Sequence, residues 1–261
     1  MSAVDEREVV LSYLFEGAQT SASALVPLMQ QVERLLPLTR AQRQRTLIRT
    51  DAGFGTDSNV NWLLLADYQV LVKGYSGKRA AAQARRVREW VEVKPNDTWI
   101  ARSPRPLAFA RSTQTLVVRQ RIPKGERHAL YITTLSDLSL ADIAALYDDR
   151  GHMEVEIQSD KMGLLIARRR KSHFAAQEML ILLNDWVHNL LALLHRTIFQ
   201  ASPFAGFGPK RLVRDLFSIP GEAIIVNDTL IELRLSQTHP YAAAMVRCLE
   251  RLWQLAPPPT L

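Results

Sequence analysis

The chain has almost no cysteine and no long uninterrupted apolar segment. A single cysteine, Cys248, occurs among 261 residues, which excludes an intramolecular disulfide and any zinc site built from several cysteines. The most apolar stretch, residues 179–194, is too short and too polar to cross a bilayer. The charged N-terminal residues lack the apolar core of a signal peptide. We therefore predict a soluble protein of a reducing compartment, the cytoplasm. The polar residues that interrupt the apolar stretch are Asn184, Asp185, His188 and Asn189.

Acidic residues are fewer than basic ones. Lys and Arg number 33 against 26 Asp and Glu, which gives a formal net charge of +7 and a sequence pI of about 9.8. This surplus suits a polyanionic partner, although a basic protein without such a partner has the same composition. Hydrophobic residues make up 47% of the chain, which is enough to build a core and excludes a disordered protein.

The first third of the chain carries the pattern of a mixed α/β protein. Apolar residues over 22–37 recur at i, i+3, i+4 and i+7, which predicts an amphipathic helix. The short apolar run 46–50 predicts a buried strand that ends at Asp51. A helix over 59–66 and a second strand over 68–72 are predicted to follow. The order strand, helix, strand is typical of the beginning of an α/β core.

The composition changes after residue 91. Prolines alternate with short strand-like segments, which predicts a β-rich insertion at about 92–127. A nearly all-apolar helix is predicted from residue 174 to about 195, and a helix that is apolar on most sides is normally buried. We therefore predict a large core over residues 1–205, interrupted by the insertion, and a small C-terminal region over 206–261.

Asp51 is a candidate metal ligand. It follows the first predicted strand directly and precedes a turn that contains Gly53 and Gly55. A carboxylate in this place is exposed while the backbone fixes its position. Mg²⁺ prefers oxygen ligands and is often held by one or two carboxylates together with a substrate phosphate. The alternative is the ordinary role of such an aspartate as a turn or helix-cap residue.

A second candidate site is the spacing of four residues, Tyr147, Arg150, Glu154 and Lys161, with gaps of two, three and six. On a helix the first three share one face, and Lys161 lies two turns further on. A carboxylate between two cations and a phenol can hold a phosphodiester beside a metal ion. The alternative is simple ion pairing of the two cations with Glu154 on a helix surface. Because Asp51 and Glu154 are 154 − 51 = 103 positions apart, only the fold can bring them together.

These residues and gaps match the Tyr-(2)-Arg-(3)-Glu-(6)-Lys signature, so the chain resembles the DDE-type transposases of bacterial insertion sequences. The segment Arg49 to Gly55 likewise resembles the Arg-x-Asp-x-Gly-Phe block that carries the second catalytic aspartate of these enzymes. The order of the two motifs and the β-rich segment between them also agree with the family. The resemblance extends over residues 8 to 250, which is most of the chain.

The resemblance implies a ribonuclease H-like mixed-sheet α/β core with a β-rich insertion and a helical C-terminal region. It implies metal-dependent phosphodiester hydrolysis and strand transfer at insertion-sequence ends, with Asp51 and Glu154 as ligands of Mg²⁺ (or Mn²⁺). Tyr147, Arg150 and Lys161 are expected to hold the DNA strand ends. The implied partners are double-stranded DNA, both transposon ends and target, and a second copy of the chain in a homodimer on DNA. The implied location is the cytoplasm, in association with the nucleoid.

Clusters of basic residues are candidates for further DNA contacts. Each either follows a DNA backbone or forms an ordinary solvated surface. Trp90 and Trp99 lie among them and either pack in the core or stack on a flipped base. The clusters are the run Arg168, Arg169, Arg170 and Lys171; the set Arg79, Arg85, Arg86 and Arg88; and the set Arg102, Arg105, Arg111 and Arg119.

The resemblance also predicts that one catalytic residue is missing. The family places a first aspartate on a core strand ahead of the Arg-x-Asp block, but only 50 residues precede Asp51 and no strand is predicted around Asp5. We therefore expect an N-terminally truncated copy that binds DNA with a steep salt dependence and does not cleave it. The alternative is a catalytically inactive remnant that only binds DNA or dimerises.

Two other kinds of site are less well supported. Residues 51–56 match the Asp-x-Gly-x-Gly-Thr pattern of the first phosphate loop of actin-like ATPases, but that loop is the turn of a β-hairpin, whereas a helix is predicted to follow here. His188 and His195 lack the spacing of a zinc site. With Asn184, Asp185 and Asn189 nearby, we predict a buried polar network around His188.

Overall fold

The structure is a computed structural model, and it divides the chain into two compact units. The sheet unit comprises residues 15–152, and the helical unit comprises residues 1–14 and 153–261. The predicted division after residue 205 stays a prediction about domain organisation. The residues that the structure describes are 2–3, 8–15, 17, 19–149, 158–164 and 171–255.

The helical unit begins with two short antiparallel strands, β1 (Ser2–Ala3) and β2 (Glu8–Val9), which lie on either side of position 5 in the sequence. Asp5 itself lies outside the described residues. The expectation that Asp5 does not lie on a strand therefore stays a prediction. Within the described residues, these two-residue strands pair with each other and not with the large sheet.

The sheet unit contains one six-stranded mixed sheet. Its strands are β3 (Leu47–Thr50), β4 (Gln69–Lys73), β5 (Val91–Lys94), β6 (Thr98–Arg102), β7 (Gln114–Ile122) and β8 (Gly125–Thr133). The strand order is β3-β4-β8-β7-β6-β5, in which β3 and β4 are parallel and every other pair is antiparallel. The strands predicted for the insertion extend the sheet that contains β3 and β4. A mixed α/β fold is thus confirmed.

Five helices accompany the sheet among the described residues of this unit. A nine-residue helix, α3, joins the parallel strands β3 and β4 and completes the predicted strand–helix–strand element. Its N-terminus is capped by Thr56, whose hydroxyl accepts the Asn59 N–H at 3.3 Å. The helices are α1 (Ser21–Leu35), α2 (Arg40–Arg43), α3 (Asp57–Leu65), α4 (Gly77–Ala84) and α5 (Leu140–Asp148).

The sheet is covered on both faces, which explains why residues 116–118 of β7 and 129–132 of β8 are continuous apolar runs rather than alternating ones. Side chains alternate along β7, so Leu116 and Val118 point to one face and Val117 to the other. The first face packs against α5 through Ile143, and the second packs against α4 through Ala80. The position of α5 is therefore set by the core of the sheet.

The helical unit packs around an aromatic cluster. Phe199, Phe204 and Phe207 are buried there, and Tyr241 meets Phe204 edge to face at 5.8 Å between ring centroids. None of the helices in the described part of the chain is long and apolar enough to cross a membrane. The further elements of this unit are α6 (158–163), α7 (Phe174–Leu194), α8 (Pro209–Arg211), β9 (Gly221–Val226), β10 (Thr229–Leu235) and α9 (Ala242–Leu255), with π-helical segments at His195–Phe199 and Leu212–Leu216.

The prediction that the long helix α7 is buried is wrong. Asn184, His188 and Leu191 face the interior of the unit and are less than 10% exposed. The other side of α7 presents a stripe of apolar residues that are 39–66% exposed. The prediction failed because apolar residues on most sides of a helix do not show which side packs against another segment. The stripe consists of Met179, Leu182, Leu183, Trp186, Leu190 and Leu193.

Within the described residues, three of the polar side chains that α7 carries around His188 hold neighbouring segments. The Asn189 side chain bonds both the N–H and the carbonyl of Val9, at 2.7 and 2.8 Å. Asp185 accepts the N–H and hydroxyl of Ser12 at 2.9 and 2.8 Å. His188 Nδ1 lies 2.7 Å from Asp160 Oδ2 in α6. These residues are polar because they attach strand β2 and helix α6 to α7.

Candidate active site

Asp51 lies directly after β3 in a tight turn. Phe54 N–H donates to the Asp51 carbonyl at 3.3 Å, and Gly55 N–H donates to the Ala52 carbonyl at 3.1 Å. The Asp51 carboxylate accepts the Gly53 N–H through Oδ1 at 3.0 Å, and the residue is partly exposed. The other oxygen, Oδ2, has no hydrogen-bond partner within the described part of the chain. The aspartate therefore has the expected turn role and also presents one carboxylate oxygen for a cation.

The turn is clamped between the end of β4 and the start of α1. A Cβ atom on Gly55 would lie 1.8 Å from the carbonyl oxygen of Lys73, so only glycine fits there. On the other side the buried amide of Asn59 donates to the carbonyls of Phe54, at 2.9 Å, and Ala22, at 2.8 Å. The position of Asp51 is thus fixed by groups on both sides of its turn.

The end of α5 contacts the end of β3. Tyr147, the first residue of the four-residue spacing, is 5% exposed, and its ring stacks on Tyr131 with 4.2 Å between centroids. Its hydroxyl donates to the carbonyl of Thr50 at 3.4 Å. Because Thr50 directly precedes Asp51, the two motifs that sequence reasoning singled out meet at this point.

Two cations fix the last turn of α5. The Arg49 side chain is 8% exposed, donates to the Leu146 carbonyl, and lies 3.3 Å from Asp149 Oδ2. Lys94 Nζ lies 2.6 Å from Asp148 Oδ2, and the hydrogen bond to that carboxylate raises the pKa of Lys94. Cations are favourable at a helix C-terminus, where carbonyl groups are unpaired. The chain is therefore anchored to β3 and β5 immediately before residue 150.

Several predicted site residues lie outside the described residues: Arg150, Glu154 and Arg168, Arg169 and Arg170. Lys161 is exposed on α6, and Lys171 is exposed three residues before α7. The structure thus brings Tyr147 into contact with Thr50, the residue that directly precedes Asp51. Within the described ranges no group of three or more His, Cys, Asp or Glu side chains is arranged to hold a metal ion. The predicted pairing of Asp51 with Glu154 stays a prediction.

The basic clusters separate into paired and unpaired residues. Arg79 forms a bidentate pair with Asp57 at 2.8–3.0 Å, and Arg111 donates to the Leu64 carbonyl at 3.3 Å. These two side chains therefore stabilise the fold. Arg119 also has a structural role, because its guanidinium lies 4.7 Å from the ring centroids of both Trp90 and Trp99.

Trp90 packs against the core, which is one of the two roles predicted for the tryptophans. It is partly exposed and contacts the cluster that contains Ala80, Val117 and Leu130. The guanidinium of Arg119 also forms a cation–π contact with both Trp90 and Trp99. Five arginines of the two clusters are exposed and make no ion pair within the described ranges: Arg85, Arg86, Arg88, Arg102 and Arg105.

The phosphate-loop alternative is excluded by topology. In an actin-like ATPase the loop joins two antiparallel strands, whereas β3 and β4 are parallel and α3 lies between them. Residues 51–56 are therefore a strand-to-helix turn, in which Thr56 serves as the helix cap.

Comparison with protein families agrees with the two motifs. Residues 5–257 match the family model described as Transposase DDE domain, group 1. The chain belongs to the DDE transposases. This confirms the family predicted from the sequence and with it a role in DNA transposition. No curated protein matched the chain.

Two residues that position the turn at Asp51 and the end of α5 were missed by sequence reasoning. Arg49 is part of the Arg-x-Asp block. The block does not show that Arg49 contacts Leu146 and Asp149, because these residues lie 97 and 100 positions away. Asn59 carries little signal, since the polar residues Asp57 and Ser58 precede it directly in the same helix. Its function in holding the Asp51 turn depends on carbonyl groups that no sequence pattern identifies.

Proposed function

We propose that this DDE transposase chain hydrolyses phosphodiesters and transfers strands at insertion-sequence ends, with Asp51 and Glu154 as ligands of Mg²⁺ or Mn²⁺ in a ribonuclease H-like core. The observation that carries the proposal is the contact of Tyr147 with Thr50. It attaches the segment that leads to Glu154 to the strand end that presents Asp51. Two carboxylates and a DNA phosphate are the oxygen ligands that Mg²⁺ prefers.

A divalent ion at this site would lower the pKa of the attacking water or 3′-hydroxyl and stabilise charge on the leaving oxygen. The residues of the protein position the metal ligands and bind the DNA phosphates. Asp51 is oriented by the Gly53 N–H, while Arg150 and Lys161 are proposed to bind phosphate oxygens. The proposed phosphate contact of Tyr147 requires its hydroxyl to exchange the Thr50 carbonyl for a phosphate oxygen. The basic run, Arg168, Arg169, Arg170 and Lys171, is proposed to follow the DNA backbone.

The test uses the polypeptide that the complete reading frame of the element encodes. It measures strand cleavage of DNA that carries the element ends. We expect cleavage in Mg²⁺ or Mn²⁺ and none in EDTA. Cleavage that persists in EDTA would contradict the proposed metal dependence. DNA binding without cleavage under every metal condition would instead support the inactive remnant. Cleavage by the 261-residue chain alone, assayed in parallel, would contradict the truncation predicted from the sequence.

We also propose that two copies of the transposase pair through the exposed apolar stripe of α7. Met179, Trp186 and Leu193 are spaced seven residues apart, and Leu183 and Leu190 repeat the interval beside them. Such a seam is typical of helices that pair with one another. Its six side chains expose roughly 600 Å², close to the ~800 Å² that each partner contributes to a standard interface. A stripe of this size on a helix of a globular protein indicates an interaction surface.

Replacing Leu183 and Trp186 together by Glu is expected to convert dimers into monomers, because two charges would be buried in an apolar seam. Sedimentation velocity at several protein concentrations, with and without DNA, measures this. The control is the single replacement Leu65→Glu, which places one such charge at a residue of α3 that is 72% exposed. Wild-type protein that stays monomeric both with and without DNA would contradict the proposed pairing of two copies through the stripe.

A further inference from the structure

We infer that a groove in the sheet unit binds the phosphate backbone of DNA beyond the catalytic centre, an inference that rests on the proposed function. The groove has a volume of about 840 Å³. Its arginines come from both basic clusters of the sequence: Arg86 and Arg88 follow α4, and Arg102 and Arg105 lie at and after the end of β6. The fold thus unites two sets of cations that are separate in the chain.

The described residues that line the groove compensate little of its positive charge. All four guanidinium groups are exposed, and none has an acidic partner within the described part of the chain. Glu89 is the one acidic residue among the lining residues of the groove. Several arginines around one groove raise the local positive potential and repel one another. A polyanion bound in the groove neutralises this charge. The repeated phosphates of a nucleic-acid strand fit several separate guanidinium groups better than a single small anion does.

Buried hydrogen bonds hold the two sides of the groove together. Gln83 in α4 and Ser103 after β6 are each 8% exposed, and their side chains bond each other at 2.9 Å. The Gln83 amide also donates to the Arg105 carbonyl at 3.0 Å, and the Ser103 hydroxyl accepts the Arg105 N–H at 3.2 Å. Because these contacts fix the backbone beside the arginines, little ordering is needed when a ligand binds.

The groove and the candidate active site lie at opposite ends of the same helix. Leu140, the first residue of α5, lines the groove, and Tyr147 in its last turn contacts the strand end at Asp51. Seven residues of helix separate them by about 10 Å. Duplex DNA rises about 3.4 Å per base pair, so a DNA strand of several base pairs spans this distance.

Replacing both Arg102 and Arg105 by Ala is expected to weaken binding of duplex DNA about tenfold at 100 mM salt and to lower the slope of log affinity against log salt by about 2. Fluorescence anisotropy over a range of salt concentrations measures both quantities. The matched control is the double replacement of Arg34 and Arg127 by Ala. It removes the same charge from exposed residues outside the groove and should leave affinity nearly unchanged.

The possible outcomes separate this inference from the proposed function. Thermal unfolding of each variant shows whether a loss of binding reflects a loss of folding. Equal effects of the groove variant and the control would overturn the groove as a DNA site, even if the protein cleaves DNA. A selective loss of DNA binding supports it, even if the protein does not cleave. If the groove variant loses binding of inorganic phosphate or ATP but binds duplex DNA as well as the wild type does, the groove is a site for a small phosphorylated ligand. That result would also overturn the inference.

Discussion

Replacing Asp51 by Asn is expected to weaken the binding of Mg²⁺ or Mn²⁺ about a hundredfold, since even the loss of groups that only support a metal ligand costs 10–100-fold. Divalent-metal-dependent strand cleavage is expected to fall about a thousandfold, the effect of removing ~4 kcal/mol of charge stabilisation. The substitution leaves the turn intact, because the oxygen of an asparagine amide can still accept the Gly53 N–H that Oδ1 accepts now. Calorimetric titration with metal and cleavage kinetics measure the two effects.

A matched carboxylate separates loss of a ligand from loss of charge. Asp57 lies six residues further on, is exposed and is paired with Arg79. Asp57→Asn should leave metal affinity unchanged and cost little stability, since exposed ion pairs contribute only about 0–1 kcal/mol. If Asp51→Asn binds metal as well as Asp57→Asn does, Asp51 is not a ligand. Glu154→Gln, titrated in the same way, then shows whether the proposed metal site fails entirely or only in one of its two ligands.

Local patterns in the sequence predicted the elements that carry the candidate site. The parallel pair β3 and β4 with helix α3 between them follows from two short apolar runs separated by a capped helix. The turn after Asp51 follows from Gly53 and Gly55. These features depend on neighbouring residues, so a single sequence is enough to predict them.

Contacts between distant segments were beyond sequence reasoning. The approach of Tyr147 to Thr50 spans 97 positions and depends on α5 packing across one face of the sheet. The exposed stripe of α7 was predicted to be buried because the helix is apolar on most sides. Which of those sides packs against the rest of the unit depends on distant segments such as β2 and α6. In both cases the side chain alone does not specify its partner.

Substituting Gly55 by Ala is expected to destabilise the protein by about 3 kcal/mol, the upper end of the usual cost of overpacking, because the added methyl group meets a backbone carbonyl that cannot turn aside. The Cβ would lie 1.8 Å from the Lys73 oxygen and 2.8 Å from the carbonyl carbon of the same residue. Either β4 or the turn must move, and the turn carries Asp51. We therefore expect the unfolding temperature to fall by roughly 10 °C and metal affinity to fall with it.

Gly77→Ala is the matched control for this substitution. Gly77 is the first residue of α4, and a Cβ there would meet no atom within 4 Å. Alanine lowers the entropy of the unfolded chain and favours the helix, so this variant should be as stable as the wild type or more stable by about 0.5–1 kcal/mol. Calorimetric unfolding of both variants gives the comparison. If Gly55→Ala unfolds at the same temperature as Gly77→Ala, the turn does not pack against the end of β4. The backbone that positions Asp51 would then be free to move, and the proposed metal site would lose its fixed ligand.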